Sequence, residues 1–172
     1  MTNKVQKELN KILKQYKWKS IRDIDWVDIS IDVILSIEFI EAFQDKVSWW
    51  YISQYQKLSA ELIEKHQDKV KWHWISRCQT LSEPFIEKFQ NKVNWISISI
   101  HQTLSEEFIE KYQDKVCWDY ISEHQTLSEE FIEKYKKDIN ICHLLNNNKI
   151  TKQFYDELCK PIKINRFQLL DI

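Results

Sequence analysis

LSEEFIEKYQDKVCWDYISEHQT, Leu104 to Thr126, is followed at once by LSEEFIEKY, Leu127 to Tyr135. The phrase is one copy of a series. Trp26, Trp49, Trp72, Trp95 and Trp118 are each 23 residues after the last, and the next two slots hold Ile141 and Ile164. A fixed period of this length marks an array of small structural units, and it takes precedence over any local motif. The copies also sort the residues into those that recur and those that vary.

Within one copy the residues spell two short helices. Ser105 is placed to cap the free N–H groups of a helix whose first turn holds Glu106 and Glu107, and these carboxylates suit the positive end of the dipole. Leu104 and Ile109 stand at the two positions of a hydrophobic staple. Phe108, Ile109 and Tyr112 form an apolar stripe, and Glu107 with Lys111 forms an i, i+4 pair on the solvent side. Asp114-Lys115-Val116 reads as the turn. Trp118, Ile121, Ser122 and Gln125 then fall on one face of a second helix. The pattern predicts helices of about nine and eight residues, too short to be stable alone, so neighbouring units must bury each other's Trp, Phe and Ile.

The other copies agree. Capping residues recur at Ser36, Ser59, Ser82, Ser105, Ser128 and Thr151, and the first-helix apolar slot holds Phe39, Leu62, Phe85, Phe108, Phe131 and Phe154. Ser30, Ser53, Ser76, Ser99 and Ser122 fill a small slot that lets adjacent helices approach. Gln56, Gln79, Gln102 and Gln125 are expected to satisfy backbone groups between layers. Pro84 falls in a first helical turn, where a missing N–H costs little. The predicted fold is all-α: an α-solenoid of tandem 23-residue two-helix repeats with atypical N- and C-terminal caps, forming one continuous domain. Residues 1–22 make a basic amphipathic capping helix, with Val5, Leu9, Ile12, Leu13 and Tyr16 at helical spacing. The repeats occupy 23–160. Pro161 stops the last first-type helix, and 161–172 form the C-terminal cap.

Composition excludes several function classes. The 172 residues contain no glycine, where average usage would give roughly a dozen. Phosphate-cradling loops and dinucleotide fingerprints need glycine, so nucleotide sites of those kinds are ruled against. Cys78, Cys117, Cys142 and Cys159 form neither a zinc knuckle nor a disulfide framework, which fits reduced thiols and a cytoplasmic protein. No apolar run approaches the ~20 residues of a membrane span. The 25 basic and 26 acidic residues nearly cancel, but residues 1–22 carry a net +6, leaving −7 elsewhere.

The variable positions of the second helix lie one, two, five and six residues after each Trp, opposite the recurring stripe. They read Trp50, Tyr51, Gln54 and Tyr55, then His73, Trp74, Arg77 and Cys78. The next two copies give Ile96, Ser97, Ile100 and His101, followed by Asp119, Tyr120, Glu123 and His124. A solvent face rich in Trp, Tyr and Ile marks an interaction site, and Trp, Tyr and Arg are the usual hot-spot residues. The expected partner-binding set is Trp50, Tyr51, Tyr55, His73, Trp74, Arg77, Ile96, Ile100, His101, Asp119, Tyr120, Glu123 and His124. His101 and His124 share one slot, but layers ~8–10 Å apart cannot bring their nitrogens to one zinc ion. No metal and no cofactor is expected. Cys142 and His143 are sequence neighbours that diverge on a helix, and the recurring glutamates Glu41, Glu64, Glu87, Glu110 and Glu133 read as a solvated face. No catalytic residue is predicted.

The phrase LSEEFIEKYQDKV followed by W-x-x-I-S-x-x-Q resembles a short helical-hairpin repeat found in proteins of bacteriophages, giant viruses and AT-rich bacteria. The similarity runs from about Trp26 to Phe154. The resemblance carries no catalytic residues. By analogy with other helical solenoids, it implies a protein that binds partners along one face. The expectation is a non-catalytic protein-binding module acting as a monomer or weak oligomer. Its sharpest form is a phage-type inhibitor of a bacterial defence complex, anti-CRISPR-like, occluding a CRISPR effector ribonucleoprotein. A second expectation is nucleic-acid binding through Lys4, Lys7, Lys11 and Lys14 of the basic leader. A third is a structural or self-assembling array.

Overall fold

The computed structural model describes residues 1–146 and 149–159, the side chain of Asn146 excepted. The predicted C-terminal cap at 161–172, with Pro161, lies outside the described residues. Among those described, every regular element is helical. The chain divides into two compact units, Met1–Gln102 and Thr103–Ile172. The first holds α1 (Asn3–Tyr16), a 3-10 turn at Ile21–Asp23, α2 (Trp26–Asp32), α3 (Ile37–Ala42), α4 (Trp49–Tyr55), α5 (Ala60–Lys65), α6 (Trp72–Cys78), α7 (Glu83–Lys88) and α8 (Trp95–His101). The second holds α9 (Glu106–Lys111), α10 (Trp118–His124), α11 (Glu129–Lys134), α12 (Ile141–Asn146) and α13 (Lys152–Leu158). In the first unit α2, α4, α6 and α8 stack each on the next, and in the second α10 packs on α12. The fold is a tandem two-helix repeat of the α-solenoid class.

The helices are shorter than the sequence pattern suggests: six residues for the first type and seven for the second in the full copies. The difference lies in how the first helix stops. At Tyr112 the backbone leaves helical geometry (φ −115°, ψ 31°). Its carbonyl then accepts from both Lys115 N–H (2.9 Å) and Val116 N–H (3.0 Å). The same double acceptance recurs at Phe43, His66, Phe89 and Tyr135, so part of each predicted helix is this tight turn. The turn needs no positive φ, which explains how the array dispenses with glycine. Among the described residues only Lys17 has a positive φ, 57°.

The predicted caps are in place. Ser36, Ser59, Ser105, Ser128 and Thr151 each accept from the N–H three residues on. Ser82 is the exception: it has the capping backbone but makes no side-chain bond. Isoleucine columns form the core. Ile29, Ile40, Ile52, Ile63, Ile75, Ile86 and Ile98 in the first unit, and Ile109, Ile121 and Ile132 in the second, are at most 1% exposed. Each such residue contributes about 1.5–3 kcal/mol relative to an exposed position. The repeat tryptophans, expected to be buried, are only half-buried. Trp49, Trp72, Trp95 and Trp118 turn Nε1 back to the carbonyl five residues upstream, at 2.8–3.0 Å. The rings of three of them pack on the following first-type helix and its turn: Trp49 on His66 (4.7 Å), Trp72 on Phe89 (4.9 Å) and Trp118 on Tyr135 (5.1 Å).

Polar side chains stitch one layer to the next. Ser53 Oγ donates to Trp49 O (2.7 Å) and accepts from Lys71 N–H of the following repeat (2.9 Å). Ser30, Ser76 and Ser122 do the same. The slot that looked merely small is a two-way bridge. Each glutamine acts as expected: Gln79 Oε1 accepts from Leu58 N–H (3.0 Å), and its Nε2 donates to Ser53 O (3.2 Å) and Gln56 O (2.8 Å). Gln56 and Gln102 repeat the pattern one layer either side.

The lysines at the slot of Lys111 reach past their own helix. Lys65 binds Glu41, Lys88 binds Glu64 and Lys134 binds Glu110, each a carboxylate 24 residues upstream at 2.5–2.6 Å. Lys69 and Lys92 likewise meet Asp45 and Asp68. The acidic face expected to be simply solvated is thus a charge ladder joining layers.

The ends of the array borrow the repeat's contacts. α1 buries Val5, Leu9 and Ile12 and packs on α3. Its Glu8 accepts from Ser36 N–H (2.9 Å) and Ser36 Oγ (2.5 Å), as Glu106 accepts from Ser128 N–H and Oγ within the repeats. α1 therefore imitates a first-type helix. At the other end Lys149 Nζ donates to Glu123 O (2.5 Å) and Gln125 O (2.7 Å) at the close of α10. There an ammonium supplies donors that glutamine supplies elsewhere, and burial pulls its pKa below the usual lysine value.

Candidate functional site

The variable positions of the second-type helices divide by depth. The first and sixth residues after each Trp are exposed: Trp50 (50%) and Tyr55 (52%), His73 and Cys78, Ile96 (53%) and His101, Asp119 and His124. The second position points toward neighbouring side chains, so Tyr51, Trp74 and Tyr120 are half-buried. Ser97, at this same variable position but not in the expected partner-binding set, is buried. Gln54, Ile100 and Glu123 at the fifth position are half-buried, while Arg77 is exposed.

In the first unit the strip carries two groups of rings on α4 and α6. Trp50 meets Trp74 edge-on, with ring centroids 6.0 Å apart and planes at 79°. Tyr51 lies 6.2 Å from Tyr55, and His73 is 5.1 Å from Trp74. The Arg77 guanidinium sits 5.8 Å from the Trp74 centroid, a cation–π distance. The Trp74 Nε1 donor is buried without a protein acceptor, so ring contacts and Arg77, not a hydrogen bond, hold that ring. At the Tyr55 edge a groove of about 350 Å³ opens between Gln54, Tyr55, Lys57, Cys78 and Thr80. Trp50, with half its surface in solvent and its ring edge-on to the more buried Trp74, is poorly served by water and well suited to cover by a partner.

The second unit carries a different strip. Tyr120 lies 6.1 Å from His124, and Glu123 stands 3.7 Å from His124 Nε2 and 3.8 Å from His143 Nδ1. Among the described residues no three His, Cys, Asp or Glu side chains converge on a cation position. Cys142 Sγ is 3.9 Å from the Tyr155 hydroxyl, whose pKa is pushed up to about 12 by hydrogen bonding to Cys142 and Cys159. A phenol held in its neutral form donates a proton poorly and cannot serve these thiols as a base.

The basic leader is split by the fold. Lys4 pairs with Glu38 at 2.6 Å, while Lys7, Lys11 and Lys14 are exposed along α1. Trp18 stacks on Tyr16 just beyond the helix, with centroids 4.6 Å apart and planes at 12°. No helix among the described residues is long and apolar enough to cross a membrane. No protein-family model, curated protein or solved structure matches the chain, so a functional reading rests on this geometry.

Proposed function

We propose that this protein is a non-catalytic docking module, and that the aromatic strip on the second-type helices is its binding face. The observation that carries the reading is the Trp50–Trp74 cluster with Arg77 against it. The repeat frame does not require aromatic residues at those slots, since other copies hold Val27, Ile96 and Asp119 where α4 holds Trp50. Recurring residues already supply the core, the caps and the bridges between layers. Large apolar side chains kept in solvent on variable slots answer to something outside the chain. The resemblance to phage and viral repeats motivates a narrower form, in which the face covers a bacterial effector nuclease such as a CRISPR ribonucleoprotein. That form is tested by adding the protein to a reconstituted effector and following target cleavage. Inhibition by wild type that is lost in Trp50→Ala/Trp74→Ala supports it, and unchanged cleavage at excess protein removes it while leaving the docking reading intact.

A second reading rests on the exposed lysines of α1 beside the Tyr16–Trp18 stack: attraction of nucleic acid to the leader. Binding of this kind weakens steeply with salt, because each neutralised phosphate releases a counterion. A labelled oligonucleotide titrated at low and high salt separates the two. Salt-sensitive binding abolished by Lys7→Glu/Lys11→Glu/Lys14→Glu favours the leader, and the absence of binding at low salt eliminates it.

A further inference from the structure

Charge is segregated in the first unit in a way the docking reading alone does not require. α4, α6 and α8 contain no carboxylate in their combined sequences WWYISQY, WHWISRC and WISISIH. The first-type helices between them carry Glu61 and Glu64 on α5 and Glu83 and Glu87 on α7. The chain as a whole holds 26 acidic residues, so their exclusion from this face is not a matter of composition. The exclusion ends at α2, which carries Asp28 and Asp32. What charge the face does hold is positive. Arg77 lies over Trp74, and Lys57 lines the groove beside Tyr55, where every lining side chain is neutral or basic.

We infer that the strip on α4, α6 and α8 takes an acidic peptide segment, one in which an apolar or aromatic side chain is flanked by carboxylates. This rests on the docking reading and adds the partner's chemistry to it. The apolar side chain covers the exposed edge of Trp50, and the carboxylates meet the Arg77 fork and the Lys57 ammonium. A guanidinium already laid on an indole is held in place. It therefore loses little side-chain freedom when it donates to a carboxylate, and its planar fork suits two-point contact. A basic partner finds no counter-charge on these three helices. A single-stranded nucleic acid would find rings to stack on, but one arginine and one lysine do not make the continuous cationic track such strands follow.

The test is a selection on the full chain with a phage-displayed library of random 12-residue peptides, followed by fluorescence anisotropy with synthesised winners and with labelled dT15. Variants are Trp50→Ala, Arg77→Gln and Arg77→Glu, all at exposed positions, each checked for an unchanged melting curve. The expected winners carry two or more Asp or Glu around a Leu, Ile or Phe. They lose at least ~10-fold in affinity in Arg77→Glu and less in Arg77→Gln, as a charge-assisted contact predicts. Winners that need Trp50 but carry neutral or basic residues overturn the acidic-peptide inference and leave the docking face standing. Tight dT15 binding that depends on Trp50 overturns it in favour of nucleic acid. Selection that yields no Trp50-dependent peptide, with no dT15 binding, brings down the docking face and the inference together.

Discussion

Replacing Gln79 by Ala removes one side chain and orphans three backbone groups. Leu58 N–H loses its acceptor, and the carbonyls of Ser53 and Gln56 lose a donor. Gln79 is 7% exposed, so water reaches these groups poorly. At about 1.5 kcal/mol for each orphaned group the loss is about 4.5 kcal/mol, and freeing the glutamine's rotamers returns about 1.5 kcal/mol, for a net cost of about 3 kcal/mol. Against a typical domain stability of about 5–15 kcal/mol this is a large fraction. Urea denaturation followed by tryptophan fluorescence measures it, and hydrogen exchange at Leu58 locates it. The Leu58 amide should be protected in the wild type and exchange much faster in the variant. Gln79→Glu gives a sharper check. Its carboxylate still accepts from Leu58 but faces two carbonyl oxygens with no proton to give, so it should be worse than Ala near neutral pH. It should recover in acid, where the protonated acid can donate. Gln54→Ala on the half-exposed side of α4 serves as control, with a change within about 0.5 kcal/mol. A loss under about 1 kcal/mol for Gln79→Ala, or a Leu58 amide whose exchange is unaltered, would refute the claim that the glutamines join the layers.

His66 stands where other repeats hold Phe or Tyr, packed 4.7 Å from Trp49 with Nε2 buried and unpartnered. Burial, with Lys65 and Lys69 adding and Glu41 and Asp45 opposing, lowers its pKa from the ordinary 6.5. The unfolded chain therefore takes up this proton first as pH falls. The histidine's share of stability is complete above about pH 6.5 and declines in acid. His66→Phe should flatten the decline between pH 7 and pH 5, read from urea midpoints; an identical slope in both proteins counts against it. Lys17 closes α1 at φ 57°, with Trp18 N–H reaching Leu13 O at 2.9 Å, so Lys17→Gly should stabilise by about 0.5–1 kcal/mol, and a lower melting temperature would contradict that. Lys149→Met strips the donors from the end of α10 and should cost about 1–3 kcal/mol, with Lys149→Gln restoring part of it; equal stability of the two variants argues against the capping role.

Much of this protein was legible before any coordinates. The period of 23 residues, the serine caps, the isoleucine columns and the turn after each aromatic follow from local rules, because helix periodicity and capping act within a few residues along the chain. The interlayer role of Gln79 could be anticipated because a buried polar residue that recurs in every copy must serve every copy. The strip could be anticipated for the opposite reason. Trp50, Trp74 and Ile96 vary where the frame does not constrain them.

Contacts between residues distant in sequence were settled only by the packed molecule. The serine slot looked like a matter of size, and packing made it a bridge between Trp49 O and Lys71 N–H. Lys65 had a carboxylate in reach on its own helix and chose Glu41 one layer back. Ser97 belonged to the outward set by its angle and was buried by its neighbours. Glu8 lies outside the repeat register and Lys149 stands in a slot that holds Thr80, Thr103 and Thr126 in other copies, and their imitation of repeat contacts has no signature along the chain. Sequence determines which face of each helix is apolar, since that depends on 3.6 residues per turn. Which groups across a layer boundary meet depends on how helices from different copies settle against one another, and that is decided by close packing in three dimensions.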